Sequence, residues 1–256
     1  ISYAMKESDL RAIMSLIPAE FAEDVEDVDA SGDVAFNGYV RGTYNDNSMP
    51  GFGVNFSIAG GRVQYPDLPK SIENIQVKAQ VENPGGADMN RMTVDVPRFH
   101  MEIGKSASSP NTVDATLSVR NPMEDPYIDT KVVADLNFSD FKDVIPMEDD
   151  FSMTGNFNAD FFLKGALSSI ESQRFQEFQA GGSAAMTGFA YTDKDLDVKV
   201  PEARLSFTPQ QLDVEIIKLV YENVNMQLDG HVSNYVAYAL SDTTLKGVFN
   251  FSADRL

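Results

Sequence analysis

Residues 51–83 read GFGVNFSIAGGRVQYPDLPKSIENIQVKAQVEN, which contains two alternating segments and the turn between them. Apolar residues occupy every second place from Phe52 to Ile58 and again from Ile75 to Val81. A period of two places one row of apolar side chains on one face of a sheet and polar side chains on the other face. The stretch therefore predicts half-buried, antiparallel β-strands.

The same alternation covers most of the chain. It returns in residues 34–40, 92–96, 99–103, 113–119, 132–138, 157–163, 196–200, 212–216, 224–232 and 245–251. Gly60-Gly61, Pro66–Pro69, Pro84–Gly86 and Gly181-Gly182 are typical turn signals, and we interpret them as the ends of strands. The sequence thus predicts a mainly β fold of repeated, antiparallel, strongly curved sheet units, with one or two short helices between units.

Two shapes remain open for these units. A sandwich closes two apolar faces on each other, whereas an open curled sheet forms a groove lined with apolar side chains. Alternation is identical in the two cases, so the pattern predicts the strands and leaves groove and sandwich as alternatives.

Two segments have helical features. Residues 9–17 carry apolar side chains three and four places apart, at Leu10, Ile13, Met14 and Ile17. Ser8 can cap this predicted helix and Pro18 ends it. Residues 168–178 form a weaker candidate with sparser apolar positions, and acidic linkers are predicted at residues 20–29 and 146–150.

The chain also repeats itself weakly. Ser31-Gly32-Asp33 stands at the same distance from Gly42 as Thr154-Gly155-Asn156 does from Gly165. A second motif recurs, as Leu136–Ser139 and Phe249–Ser252. These anchors predict three parts: residues 1–30, the end of a preceding repeat plus a linking helix; residues 31–145, a first β repeat unit; and residues 146–256, a second one. Because repeat units bury their apolar faces against stacked neighbours, we expect the chain to be a piece of a longer array.

Composition narrows the class of protein. The chain has 256 residues, 43% of them hydrophobic, a formal net charge of −19, and no cysteine. The apolar share is typical of a folded protein, and the absence of cysteine excludes disulfides and thiol chemistry. The negative charge and the scattered lysines and arginines argue against nucleic acid as a partner. No run of about 18 apolar residues occurs, so no direct membrane span is predicted in this piece.

Catalytic and metal-binding patterns are not found. His100 and His231 both fall on the polar row of a predicted strand, which is typical of surface histidines, and neither has a partner at metal-ligand spacing. Acidic clusters occur at residues 24–29 and 148–150, but these positions are in predicted linkers and lack a calcium-loop pattern. We therefore predict no catalytic residues, no metal site and no cofactor. Asp27 and Asp149 would be the first residues to substitute if an acid-paired hydrolase were considered.

Residues 51–83 resemble the C-terminal repeat region of the AsmA family, envelope proteins of Gram-negative bacteria related to TamB. The resemblance rests on a strand, a glycine pair, an aromatic strand, the Pro66-Asp67-Leu68-Pro69 turn and the Ile72-Glu73-Asn74-Ile75 start of the next strand. The second unit keeps a degraded form at residues 184–200 without the proline turn. The resemblance implies a non-enzymatic periplasmic body, an inner-membrane anchor on the parent protein, and a part in outer-membrane biogenesis with lipids or envelope proteins as partners.

The resemblance also implies a site. Related proteins are thought to carry lipid chains along a β groove, and sheltering one methylene group from water is worth about 0.8 kcal/mol. A sixteen-carbon chain left in water would therefore cost on the order of 12 kcal/mol. The apolar rows expected to line such a groove are Phe52, Val54, Phe56, Ile58, Val113, Ala115, Leu117, Val119, Phe157, Phe161 and Leu163.

An alternative function stays open. Many acidic secreted β modules bind proteins or carbohydrates through exposed aromatic side chains on turns. The candidates here are Tyr44, Tyr127 and Tyr235, which are widely spaced in the sequence. Neither function predicts an oligomeric state.

Overall fold

The structure is a computed structural model. It describes residues 1–11, 28–45, 48–66, 68–86, 89–104, 111–144, 151–172, 174–240 and 244–255. Most of the helix predicted at residues 9–17 and most of both predicted acidic linkers lie outside these residues, including Asp27 and Asp149. Leu10 and Arg11, at the start of that helix, are described and are helical.

The fold is mainly β, and the prediction of antiparallel strands is confirmed. The strands form one sheet whose order follows the order of the chain, from β1 to β13. Their bounds are β1 Ser2–Asp9, β2 Asp29–Arg41, β3 Gly51–Gln64, β4 Ile72–Asn83, β5 Thr93–Ile103, β6 Thr112–Arg120, β7 Tyr127–Asn137, β8 Ser152–Ala166, β9 Gln179–Thr192, β10 Asp197–Phe207, β11 Leu212–Tyr221, β12 Val224–Val232 and β13 Gly247–Ala253. Strands that follow one another in the chain commonly pair as neighbours, so this sequential order is the expected one.

Short helical segments connect some of the strands. The helix α1 covers Leu167–Glu171 and α2 covers Tyr235–Leu240, and both belong to the part of the chain after β8. Three 3-10 helices are described, at Met89–Arg91, Phe138–Asp143 and Phe175–Glu177. The predicted helix at residues 168–178 is therefore split into α1 and a 3-10 helix, and α2 was not predicted.

The chain divides into two compact units. Unit 1 contains residues 1–130 and 143–145, and unit 2 contains residues 131–142 and 146–256. Unit 1 has a small core in which Leu10, Ala30 and Val34 are buried, with Val34 completely inaccessible. Unit 2 has a core in which Ile170, Phe178 and Val236 are buried. In both cores, residues of a helical segment pack against strand residues.

The interpretation of Gly60-Gly61 as a turn between strands is wrong, because both glycines lie inside β3. Ser31 of β2 pairs with Arg62 and Asp33 pairs with Ala59, so Gly60 and Gly61 together oppose Gly32. This two-against-one arrangement is a β-bulge. Gly60 adopts a φ of 60°, which favours glycine, and a Cβ on Gly32 would lie 2.6 Å from the Cα of Gly61. Glycine is required here for close strand packing.

Gly181-Gly182 was likewise predicted as a turn and lies inside β9. Gly182 pairs with Phe161 of β8 and with Phe207 of β10. The two phenylalanine rings stack with their centroids 5.1 Å apart. A strand residue without a side chain leaves room for this contact between the strands on either side.

Candidate functional site

The predicted groove-lining residues of unit 1 lie on one face of the sheet. Val54 pairs with Val81, Val81 with Val94, and Val94 with Val119, so four valines form a row across β3 to β6. A second row runs in the same way from Ile58 through Val77 and Phe99 to Ala115. Paired residues of neighbouring strands share a face. The strands β4 and β5 therefore join the predicted lining residues of β3 to those of β6 in one apolar surface.

We call this surface the apolar face of unit 1. It consists of Phe52, Val54, Phe56 and Ile58 of β3, Val77, Ala79 and Val81 of β4, Val94, Val96 and Phe99 of β5, and Val113, Ala115, Leu117 and Val119 of β6. The residues of β4 and β5 were missing from the predicted lining set. Their alternation in the sequence was visible, but choosing them needed the register between strands.

Every side chain of the apolar face of unit 1 is half-buried, and none is fully buried. The face is covered best at one end, where Phe56 and Ile58 pack against the core of Leu10, Ala30 and Val34. Towards β6 the apolar rows continue without a buried member, from Val94 to Val119. A broad apolar surface that stays partly exposed is a feature of sites for apolar ligands or partners.

Unit 2 has an apolar face of the same kind. Phe157 pairs with Met186, and the row continues through Ala203, Ile217 and Leu228 to Phe251, across β8 to β13. Phe161 lies on the same face, in its stack with Phe207. Phe157 and Phe161 are half-buried, and Phe251 is 60% exposed.

One end of the apolar face of unit 2 is covered by helices. Leu163, the third predicted lining residue of β8, packs against the core of unit 2. This core consists of Ile170 in α1, Val236 in α2, and Phe178, which precedes β9. Leu163 is therefore part of a covered core, while Phe157 lies on the more open part of β8. The sequence pattern does not distinguish these positions, because both belong to the same alternating row.

Tyr235 of α2 completes this cover. Its hydroxyl donates a hydrogen bond to the carbonyl oxygen of Thr208 at 2.9 Å, and its ring centroid lies 5.9 Å from that of Phe207. Burial raises the pKa of Tyr235 to about 12. Of the three tyrosines considered as exposed turn residues, Tyr235 is thus packed in the structure, while Tyr44 is 76% exposed.

The raised pKa of Tyr235 makes a prediction about alkaline unfolding. An unfolded chain releases this proton near pH 10, whereas the folded protein keeps it until about pH 12. The stabilisation is fully present below pH 10 and is lost as the pH rises through 12, because the unfolded state gives up the proton first. Tyr235→Phe should cost about 1 kcal/mol at neutral pH through the lost hydrogen bond. The difference in urea midpoint between the wild type and Tyr235→Phe should shrink between about pH 10 and pH 12; parallel pH profiles would contradict this account.

The opposite face of unit 1 is polar, and it contains a cluster around His100. The side chain of His100 is only 11% exposed, so the prediction of a surface histidine is wrong for this residue. Its Nδ1 lies 2.9 Å from Asp114 Oδ1, and Asn74 Nδ2 lies 3.2 Å from its Nε2. Arg98 Nη1 also donates to Asp114, at 3.1 Å.

The polar side chains of this cluster form hydrogen bonds with one another. If Asn74 donates to Nε2, the proton of the neutral ring is on Nδ1 and is donated to Asp114. Asn74 also donates to Glu102 Oε1 at 2.8 Å and accepts from Gln76 Nε2. The cluster was missed because Asp114 is on β6, and only the pairing of His100 with Asp114 in the sheet brings them together.

Comparisons with family models, with curated proteins and with solved structures found no match. The resemblance to the AsmA family therefore remains an expectation from the sequence. No helix among the described residues is long and apolar enough to cross a membrane. In the same described residues, no group of three or more His, Cys, Asp or Glu side chains is arranged to hold a metal ion.

Proposed function

We propose that the apolar faces of units 1 and 2 shelter lipid acyl chains, and that each face forms the lining of a groove. The observation that carries this proposal is the continuous set of apolar rows in unit 1, from Phe56 in β3 to Leu117 in β6, of which every member is half-buried. An ordinary dry core would bury these side chains almost completely. Apolar contact is the main source of affinity for an acyl chain, at about 0.8 kcal/mol for each methylene group.

The polar face supports the same proposal. Asn55, Gln80 and Ser118 occupy the positions between the apolar ones on their strands and point to the opposite side of the sheet. A sheet that is apolar on one side and polar on the other can hold an acyl chain against one face and keep water on the other. Most backbone groups of these strands are paired within the ladder, so the sheet offers the chain a largely apolar surface.

We further propose that the two units are repeats of one design, as in an AsmA-like envelope protein. The support is the β-bulge at the start of each unit. In unit 2, Gly155 of β8 opposes Gly188 and Phe189 of β9, just as Gly32 opposes Gly60 and Gly61. Gly60 and Gly188 both have a φ of 60°, and a Cβ on Gly155 would lie 2.5 Å from the Cα of Phe189.

On this basis the protein would be a non-enzymatic, periplasmic part of an envelope protein anchored in the inner membrane and acting in outer-membrane biogenesis. The proposed role is the holding of acyl chains between membranes, with lipids or envelope proteins as partners. The fold, the apolar faces and the repeated bulge are compatible with this role, and the family resemblance supplies the cellular setting.

The direct test uses the chain purified without detergent. Native mass spectrometry should detect co-purified lipid, and a fluorescent sixteen-carbon fatty acid should gain emission when the protein is added. The affinity should also fall as the fatty acid is shortened. Each methylene group removed should weaken binding roughly fourfold, because about 0.8 kcal/mol of apolar contact is lost. Absence of both lipid and uptake would overturn the proposal and favour closed apolar cores.

A further inference from the structure

The polar face of unit 1 contains a hollow that the acyl-chain proposal does not use. Its volume is about 300 Å³, and its walls are formed by Ala35 and Asn37 of β2, Asn55, Phe56 and Ser57 of β3, Lys78, Ala79 and Gln80 of β4, and Pro97 of β5. Ligand pockets begin at about this size, so the hollow has room for one small molecule. It lies on the side of the sheet opposite the valine row.

The register of the strands explains the hollow. Ala35 pairs with Ser57, and Ser57 pairs with Lys78, which gives one row of two small side chains and a lysine. The neighbouring row consists of Asn37, Asn55 and Gln80. The small side chains of Ala35 and Ser57 leave space between the longer amide and lysine side chains.

The hollow offers one positive charge without a counter-ion. Among the described residues, Lys78 has no hydrogen-bond or ion-pair partner. Lys78 pairs directly with Arg98 in the sheet, and Arg98 already contacts Asp114 at 3.1 Å. Two cations in directly opposite positions destabilise a strand pair, and an anion bound beside Lys78 would offset this repulsion.

The remaining polar groups can bind hydroxyl groups. Asn55 Nδ2 donates to Asn37 Oδ1 at 3.0 Å, which leaves the amide hydrogens of Asn37 and the carbonyl oxygen of Asn55 available. Gln80 and Ser57 add further donors and acceptors on the same side of the sheet. Lys78 is the one cationic side chain in the lining of the hollow, because Arg98 beside it is already engaged by Asp114 and Gln76. The hollow therefore lacks a free arginine fork, the group that proteins commonly use for phosphate.

We infer that this hollow binds a small acidic sugar or a similar hydroxy acid, with a single carboxylate at Lys78 and its hydroxyl groups at Asn37, Asn55 and Gln80. One carboxylate matches one ammonium, and it is repelled less than a phosphate dianion by a chain of net charge −19. This binding does not depend on the acyl-chain function, because the side chains of Asn37, Asn55, Lys78 and Gln80 point to the polar side of the sheet.

The test is a titration of the whole chain with glucuronate, in which binding is measured by isothermal titration calorimetry or by ligand-observed NMR. Glucuronate should bind with a dissociation constant in the millimolar range, and glucose and inorganic phosphate should each bind at least about fivefold more weakly. Lys78→Gln should weaken glucuronate binding about fivefold, the effect of losing one exposed ion pair. Lys199→Gln, which removes an exposed lysine of β10, is the matched control and should bind as the wild type does.

A second variant separates sugar recognition from simple charge attraction. Asn37→Ala should reduce the preference for glucuronate over acetate, while its affinity for acetate stays within twofold of the wild type. Since Lys78 and Asn37 are exposed, both variants should stay folded, with thermal midpoints within a few degrees of the wild type. Equal binding by Lys78→Gln and Lys199→Gln, equal binding of phosphate and glucuronate, or no binding of glucuronate at millimolar concentration would each overturn the inference.

Discussion

Leu117→Asp is expected to weaken binding of a sixteen-carbon fatty acid to unit 1 by at least tenfold. Leu117 is half-buried on the apolar face of unit 1 and pairs with Val96 of β5. A carboxylate at this position must either lose its hydration where the acyl chain contacts it or keep the acyl chain away from the sheet. Loss of contact for two or three methylene groups costs about 2 kcal/mol, which is roughly a thirtyfold change in affinity.

The neighbouring residue supplies the control. Thr116 is exposed and its side chain points to the other side of β6, so Thr116→Asp adds the same charge without touching the apolar face. Thr116→Asp should bind the fatty acid within twofold of the wild type. Equal losses in the two variants would show that net charge, and not the apolar face, controls uptake.

Unit 2 must be tested in parallel, because its apolar face would retain uptake when unit 1 is changed. Leu228 pairs with Ile217 and Phe251 in the long apolar row, and Gln227 beside it is exposed on the polar side. Leu117→Asp combined with Leu228→Asp should remove most uptake, and Thr116→Asp combined with Gln227→Asp should not. Stoichiometry from fluorescence titration then reports the two faces separately. Full uptake by the first double variant would contradict the proposed sites.

Strand positions and side-chain faces were accessible from the sequence because they depend on a local period of two. The predicted alternation at residues 52–58 and 113–119 places its apolar side chains on one face in the structure. These features need no knowledge of which distant residues meet.

Features that depend on register were not accessible. His100 looked exposed because its own strand is amphipathic, but Asp114 and Asn74 reach it from β6 and β4 and leave its side chain 11% exposed. The glycine pairs were misread for a related reason. A glycine suits both a turn and a close approach inside a sheet, and only the partner strand distinguishes the two.

The helix α2 was missed because its sequence has no helical signal of its own. It contains Tyr235-Val-Ala-Tyr-Ala-Leu240, an apolar run of six residues that is too short to show a helical period. Val236 is 2% exposed in its contact with the core of unit 2. Packing on the sheet, and not local propensity, accounts for this element.

Gly182→Ala is expected to destabilise unit 2 by about 3 kcal/mol or more. Gly182 has a φ of 125°, which side chains rarely adopt, and a Cβ there would lie 2.1 Å from the carbonyl oxygen of Asp160. The same Cβ would lie 2.5 Å from the Cα of Phe161. These are backbone atoms, so rotation of a side chain cannot relieve the contact, and β8 and β9 must separate.

Gly188→Ala on the same strand is the matched control. Gly188 has a φ of 60°, and no atom lies within 4 Å of a Cβ placed on it. Its substitution should cost only the strain of the left-handed conformation, about 1 to 2 kcal/mol. Urea unfolding followed by circular dichroism should therefore give a clearly lower midpoint for Gly182→Ala than for Gly188→Ala, and equal midpoints would contradict the close approach at Gly182.

Hydrogen exchange locates the effect. Separation of β8 from β9 breaks the ladder beside the Phe161–Phe207 stack, so the amides of β8, β9 and β10 should exchange faster in Gly182→Ala than in Gly188→Ala. The amides of β2 to β5 belong to unit 1 and should keep their protection. Loss of protection in unit 1 as well would mean that the two units unfold as one cooperative body. Retained protection there would mean that the apolar face of unit 1 persists when that of unit 2 is lost.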